Sequence, residues 1–130
     1  MELMEPIAIV TVLALLQLFI FAFQVGKQRA KHGIKAPAIS GDAEFERMFR
    51  VHQNTLEQLV VFIPALWLFG YYVHALIGAG IGLVFIIARF VYRGSYLKDP
   101  STRTAGFGIG ALAMMVLLLG GLIGAVVSWL

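Results

Sequence analysis

The sequence predicts an all-α membrane protein, in which a single domain over residues 1–130 forms a bundle of four transmembrane helices. Three observations support this fold class. The chain is 60% hydrophobic and 13% charged, whereas a soluble domain is about 45–50% apolar and about 25% charged. It contains four apolar stretches, each long enough to cross a hydrocarbon layer ~30 Å thick. Its ten lysine and arginine residues lie beside two of the connections between these stretches.

The first span is expected from about Pro6 to Gln24, a segment without charge, and proline suits the first turn of a helix. A cleaved signal peptide is the alternative interpretation. However, Glu2 and Glu5 stand where a signal peptide is positively charged, and the basic residues follow the apolar segment. A retained helix is therefore favoured, and residues 25–43 are expected to contain its end and a loop.

The second helix is expected to begin near Asp42–Glu44, because acidic residues suit a helix N-terminus. Its first turns are strongly charged, and it is purely apolar only from Leu59 to Val73. We therefore expect the charged half to lie at the membrane interface or to face the protein interior. Pro64 is expected to kink this helix.

The remaining two spans follow a very short connection near Tyr72–Leu76. The third span is expected over about Ala75–Tyr92, and residues 93–103 are predicted to form a loop. The fourth span, Ala105–Leu130, contains no charge. Glycine pairs four residues apart in these spans predict close helix packing: Gly78 and Gly82, Gly106 and Gly110, and Gly120 and Gly124.

The start of the fourth helix places a cation in an unusual position. Asp99 is predicted to be its N-cap and Pro100 its first residue, so Arg103 falls in its first turn. A cation there opposes the helix dipole. Either Arg103 is one more basic residue beside the membrane, or it attracts an anion together with the helix N-terminus. A substrate thiolate would suit the second role, because a nearby arginine lowers the pKa of a thiol.

The distribution of basic residues predicts the orientation. If the four helices alternate in direction, both basic connections lie on one side, which the positive-inside rule makes cytoplasmic, with both termini on the opposite side. The ten residues are Lys27, Arg29, Lys31, Lys35, Arg47, Arg50, Arg89, Arg93, Lys98 and Arg103. Because they flank apolar spans, no nucleic-acid partner is predicted. The chain has no cysteine, and its three histidines lack the spacing of metal ligands, so no metal site is expected.

Two polar stripes are predicted at the same membrane depth. On the second helix, Arg50, Asn54 and Glu57 fall on one face at about 100° per residue. The third helix has a second stripe, which contains Arg89, Tyr92, Arg93 and Tyr96. If Glu57 is considered by itself, a salt bridge to Arg50 or Arg89 would explain its buried carboxylate. The additional donors and acceptors favour a bound polar ligand.

These residues resemble the signature of the MAPEG family, the membrane-associated proteins of eicosanoid and glutathione metabolism. The second helix matches the pattern FER-x-x-R-x-x-x-N-x-x-E, with a proline beyond it, in the segment EFERMFRVHQNTLEQLVVFIPALW (44–67). The third helix matches A-R-x-x-Y-x-x-x-Y in ARFVYRGSY (88–96), with an arginine seven residues further on. The resemblance covers the whole chain in helix number, length and loop placement.

The resemblance implies a homotrimer with glutathione, as co-substrate, bound between neighbouring protomers near the cytoplasmic face. By position, the glutathione-binding residues would be Arg50, Asn54, Glu57, Tyr92 and Tyr96. Arg103 would stabilise the thiolate, and Arg29 would reach in from the adjacent protomer. We expect Arg89 to be a structural partner for buried carboxylates. His52 and Gln58 depart from the leukotriene-synthase branch, which has glutamine and tyrosine there, so that specific activity is not implied.

Three functional hypotheses follow. The first is a glutathione transferase, which also reduces lipid hydroperoxides as a peroxidase, with a lipophilic electrophile that enters from the lipid bilayer. The second is a non-catalytic MAPEG-like protein that binds lipids or partners, against which the retained Arg103 argues. The third is a small multidrug transporter, a class that needs a carboxylate in its first helix, whereas residues 7–25 contain none.

Overall fold

Residues 3–130 are described by a computed structural model of the chain, so Glu2 of the predicted acidic flank lies outside the described residues. The described residues form four α-helices and no β-strand: α1 (Glu5–His32), α2 (Ala43–Tyr72), α3 (Ala75–Lys98) and α4 (Thr104–Trp129). Each α-helix is long and apolar enough to cross a membrane. The prediction of an all-α bundle of four such helices is confirmed.

Each helix runs opposite to the one before it along the chain. Between α2 and α3, for example, Asn54 contacts Tyr92 while Phe62 stacks on Phe85, so later residues of α2 meet earlier residues of α3. Helices α2 and α3 form a central pair, and each packs against the other three helices. The α1–α2 and α3–α4 connections therefore lie at the same end. We call it the basic end, because all ten lysine and arginine residues lie in these connections or in the helical turns beside them.

Helix α1 continues beyond the apolar span to His32, which lies within the residues 25–43 predicted to contain its end. Arg29, Lys31 and His32 occupy its last turn, where positive charge is favourable beside the helix dipole. Gly33 then ends the helix with φ of 67°, and its N–H donates to the carbonyl of Arg29. This left-handed conformation is one that glycine adopts without the steric cost of a side chain.

Helix α2 begins where the sequence predicted. The carboxylate of Asp42 accepts hydrogen bonds from the backbone N–H groups of Glu44 and Phe45, as an N-cap does. The helix runs continuously through Pro64, and a bend at that residue stays a prediction. Residues 73–74 alone connect α2 to α3.

The predicted boundary between the third and fourth helices is wrong in two respects. Residues 93–98 are helical, because α3 continues to Lys98. Asp99 caps a separate 3₁₀ helix, Pro100–Thr102, by accepting a hydrogen bond from Ser101, and this bond lowers the pKa of the Asp99 carboxyl. Arg103, rather than Asp99, then occupies the N-cap position of α4 and forms no side-chain cap.

Glycine residues bring the helices into close contact, as predicted. In each of the three pairs, at least one glycine lies so near a neighbouring helix that a Cβ atom would come within 3.0 Å of it. The closest approach to a backbone atom joins α4 to α3, where a Cβ on Gly106 would lie 2.5 Å from the backbone nitrogen of Tyr92. This contact fixes the start of α4, and therefore Arg103, beside the tyrosines of α3.

Candidate active site

A cavity of about 530 Å³ lies between α2, α3 and α4 at the basic end. We call it the polar cavity, and it is lined by Arg50, Asn54, Glu57, Gln58, Arg89, Tyr92, Tyr96, Arg103, Thr104 and Phe107. Its volume is within the range of about 300–1,000 Å³ typical of small-molecule sites. The structure thus brings together seven of the sequence-predicted site residues, which come from three helices.

The tyrosines of α3 form one wall and are held by α2. Asn54 donates from Nδ2 to the hydroxyl oxygen of Tyr92 over 2.7 Å. The rings of Tyr92 and Tyr96 stack with their centroids 5.5 Å apart. Because the Tyr92 hydroxyl accepts the bond from Asn54, its own proton remains available to a ligand.

Arg89 is buried, and its predicted role as a partner of carboxylates is wrong. Its Nη2 donates to the hydroxyl of Thr55 over 2.8 Å, and its guanidinium lies 4.2 Å from the ring centroid of Tyr92. It forms no salt bridge within residues 3–130, because Thr55 supplies the oxygen at this level of α2 and Glu57 lies on another face. Its Nε has no hydrogen-bond partner. An uncompensated positive charge therefore lies at the cavity wall.

The salt bridge of Glu57, which was the alternative to a bound ligand, does not form within the described residues. Neither Glu57 nor Arg50 forms an ion pair with any described residue, and both side chains are exposed on the protomer. Glu57 lies near the middle of α2, about 21 Å from Ala43 at 1.5 Å per residue. An exposed carboxylate at that depth of a membrane-spanning helix is costly. A ligand or another protein surface must therefore cover this position.

Arg29, His52 and Arg93 lie outside the polar cavity. Arg29 donates to the carbonyl of Ala38 and lies over the ring of Phe45, on a helix that does not line the cavity. His52 is turned about 160° away from Arg50 around α2. Arg93 was predicted to belong to the polar stripe of α3, but it turns toward α1.

Four residues of this region were missed by the sequence analysis as contributors to a site. Gln58, Thr104 and Phe107 line the cavity. Thr55 does not line it but accepts a hydrogen bond from Arg89, which does. A signal existed for Thr55, since it is polar yet falls on the face of α2 that contains the buried Val51 and Leu59. Thr104 and Phe107 follow Arg103 within the first turn of α4. This spacing could have indicated that all three residues face the same cavity.

The cavity is suited to a ligand with several charges of both signs. Arg50, Arg89 and Arg103 can bind anionic groups, and guanidinium matches carboxylate geometry well. Glu57 can accept from a cation, and the Tyr92 and Tyr96 hydroxyls add neutral donors. Arg103 is exposed at the N-terminus of α4, where backbone N–H groups also favour negative charge.

Comparisons with known proteins agree with this architecture. The model of the MAPEG family matches residues 7–123. An uncharacterized protein of Synechocystis is 41% identical, over 94% of this chain and 88% of its own length. Human microsomal glutathione S-transferase 2 is 40% identical, over 86% of this chain and 78% of its own length. The leukotriene C4 synthase of Cavia porcellus is 34% identical, over 86% of this chain and 75% of its own length.

Proposed function

The chain belongs to the MAPEG family and is an integral, multi-pass membrane protein, and from this premise we propose that it is a membrane-bound glutathione S-transferase. It joins the glutathione thiolate to hydrophobic electrophiles. The observation that most supports this proposal is the convergence of three arginines, one carboxylate and two tyrosines in a cavity that lacks internal ion pairs. Residues 1–130 act as one domain.

Glutathione matches the charges of the polar cavity. It has two carboxylates, one ammonium group and one thiol. Arg50 and the buried Arg89 bind the carboxylates, Glu57 accepts from the ammonium group, and Asn54 with the two tyrosines supplies the neutral hydrogen bonds. Arg103 is then the remaining cation of the cavity, and it interacts with the sulfur atom.

Arg103 stabilises the thiolate form of the bound glutathione. A free thiol titrates near pH 8.5, and a neighbouring arginine at a helix N-terminus favours its ionised form. The thiolate sulfur then attacks the electrophilic carbon of the second substrate, and the leaving group departs with the bonding electron pair. Such substrates are lipophilic and reach the cavity from the bilayer.

The same thiolate supports a peroxidase reaction with a lipid hydroperoxide. Its sulfur attacks the terminal oxygen and releases the lipid alcohol, and a second glutathione converts the resulting sulfenic acid into the disulfide and water. Two electrons pass from the two thiols to the peroxide. Neither reaction needs a metal ion.

The active protein is a homotrimer with each site between two protomers. Exposure of Glu57, Arg50 and Arg103 on a single protomer supports this proposal, because a neighbour would cover these charged groups within the membrane. Arg29 then acts from the adjacent protomer, and His52 is a further candidate there. The basic end faces the cytoplasm, and both termini lie on the opposite side.

Thiolate formation tests the proposed function directly. The purified trimer would be titrated with glutathione while the ultraviolet absorbance of the thiolate is followed, beside the variants Arg103→Ala and Lys98→Ala. We expect thiolate near neutral pH in the wild type and in Lys98→Ala, which loses an exposed basic residue outside the cavity. Arg103→Ala should shift thiolate formation toward pH 8.5.

Two results would contradict the assignment in different ways. Absence of thiolate in the wild type near neutral pH would exclude the transferase and favour the non-catalytic, lipid- or partner-binding alternative. A full thiolate signal in Arg103→Ala would remove only the role of that residue.

A further inference from the structure

A second cavity, of about 280 Å³, lies between α1, α2 and α3 at the basic end. We call it the lateral cavity, and its polar lining consists of Gln24, Lys27, Gln28, Glu44 and Arg93. Met48, the residue that α2 contributes beside Glu44, is turned about 160° away from Arg50 of the polar cavity. The lateral cavity is therefore separate from the proposed glutathione site.

The lateral cavity contains two cations without a counter-ion. Arg93 donates from Nε to the Oε1 atom of Gln24 over 2.7 Å, which holds the guanidinium between α1 and α3. The Lys27 ammonium lies 6.0 Å from the ring centroid of Phe23. Neither residue forms a salt bridge with a carboxylate in the described part of the chain. A guanidinium with free terminal nitrogens beside an ammonium group is suited to a phosphate.

The same cavity also contains a buried acceptor without a donor. The Oε1 atom of Gln28 is buried and has no hydrogen-bond partner. The nearby Glu44 carboxylate is partly exposed and accepts hydrogen bonds from Lys31, His32 and the Gln28 side chain. Because a buried acceptor without a partner is costly, a ligand that occupies this cavity should present an N–H or O–H group as well as an anion.

The position of the cavity favours a lipid. Lys27 and Arg93 lie one turn before the last turns of α1 and α3, near the level where basic side chains meet lipid headgroups. Deeper in the membrane, the adjoining surface is apolar and exposed at Ile20, Phe23 and Phe90, which are 45%, 66% and 46% exposed. Acyl chains can lie on this surface while the headgroup occupies the cavity.

We propose that the lateral cavity binds a phospholipid whose headgroup has a primary ammonium group, as phosphatidylethanolamine does. The phosphodiester contacts Arg93 and Lys27, and the ammonium group donates to the Oε1 atom of Gln28 and to Glu44. Phosphatidylcholine binds less well, because its quaternary ammonium group has no N–H to donate. This site is independent of glutathione and of the proposed reaction.

Native mass spectrometry of the full-length protein in detergent tests this proposal, with phosphatidylethanolamine, phosphatidylglycerol and phosphatidylcholine of identical acyl chains. The wild type should retain phosphatidylethanolamine about tenfold better than phosphatidylcholine, the effect of one charge-assisted hydrogen bond. Gln28→Leu should lose this preference and retain phosphatidylcholine as the wild type does. Lys27→Gln should weaken all three lipids, whereas Lys98→Gln, the control, should change none. Lys27 is exposed, so its replacement does not endanger the fold.

Four outcomes would overturn the proposal. Equal retention of phosphatidylethanolamine and phosphatidylcholine by the wild type would exclude a role for the ammonium group, as would an unchanged preference in Gln28→Leu. Equal retention of phosphatidylglycerol would assign the donor to a hydroxyl instead. If soluble phosphoethanolamine displaced the lipid at equal concentration, the cavity would be a site for a water-soluble phosphate compound.

Discussion

Arg89 is a buried cation that is held by Thr55 and Tyr92 without a carboxylate partner among the described residues. The residue is 2% exposed, and its guanidinium contacts the hydroxyl of Thr55 and the ring of Tyr92. Thr55 is itself oriented by its bond to the carbonyl of Val51 over 2.7 Å. This arrangement keeps the positive charge next to the polar cavity while it anchors α3 to α2.

We predict that Thr55→Val lowers the free energy of unfolding by about 1.5–3 kcal/mol, the contribution of a hydrogen bond to a charged group. Valine has nearly the same shape, so the change removes the hydroxyl and little else. Thr55→Ser retains the hydroxyl and serves as the control. Reversible unfolding in mixed micelles measures both variants, and equal losses in the two would show that the methyl group rather than the hydroxyl matters.

Glu57 is predicted to bind the ammonium group of glutathione. Glu57→Gln should raise the dissociation constant of glutathione about tenfold or more, because it replaces a charge-assisted hydrogen bond by a neutral one. Glu5→Gln is the control, since Glu5 is an exposed carboxylate in the first turn of α1 and does not line the polar cavity. Calorimetric titration measures both variants.

An N-acetylated glutathione separates the role of Glu57 from a general loss of affinity. This analogue has no ammonium group, so the wild type and Glu57→Gln should bind it equally well. A tenfold difference that persisted with the analogue would mean that Glu57 supports the site indirectly.

At the scale of single residues, the sequence predicted which residues share a helix face better than it predicted their hydrogen-bond partners. Periodicity of 100° per residue placed Arg50, Asn54 and Glu57 on one face, and the structure has them on one cavity wall. The partner of Arg89 could not be predicted, because Thr55 is 34 positions away and a hydroxyl gives no charge pattern. Nor could periodicity show that Arg93 would turn toward Gln24.

At the scale of helices, the contact between α3 and α4 determines the geometry of the site. Gly106 lies directly on the backbone of Tyr92, one turn after Arg103. A side chain at this position would separate the two helices, because the atoms it meets are backbone atoms that cannot rotate away. The glycine thus couples helix packing to the distance between Arg103 and the tyrosines.

We predict that Gly106→Ala lowers the free energy of unfolding by about 1–3 kcal/mol, the usual cost of overpacking, and also reduces thiolate formation. Gly108→Ala is a close control, since no atom lies within 4 Å of a Cβ there. Alanine is favoured over glycine in a helix by about 0.5–1 kcal/mol, so this control should retain or slightly gain stability. Thiolate absorbance and thermal unfolding test both variants, and equal behaviour would contradict the packing role.

Helix boundaries were predictable where a single residue determines them. Asp42 is an N-cap followed by acidic residues, and α2 begins beside it as predicted. The start of α4 was harder, because Asp99 and Pro100 form the same pattern that begins a helix but here begin a 3₁₀ turn. The end of α1 lies within the predicted range 25–43, because helical hydrogen bonding continues beyond the apolar segment and through the basic residues to Gly33.

At the scale of the whole molecule, the charged groups on the protomer surface require a further partner. Arg50, Glu57 and Arg103 are exposed on one side of the bundle, while Arg29 lies on α1, which does not line the polar cavity. A single chain therefore cannot bring Arg29 to the ligand in this conformation. In the proposed homotrimer Arg29 would come from a neighbouring copy, and the periodicity of a single helix does not indicate such a contact between copies.

Mixed trimers test whether each site combines residues of two protomers. Arg29→Ala and Arg103→Ala should each be poorly active alone, since every site lacks one arginine. In trimers that contain both variants, co-expression should restore about a third of the sites, because one of the three neighbouring pairs joins a protomer that retains Arg103 to one that retains Arg29. Turnover of a lipophilic electrophile, measured on trimers isolated with two different affinity tags, gives the recovered activity. If Arg29 acted within its own protomer, or if the protein were monomeric, no site would contain both arginines and the mixture would be no more active than its parents.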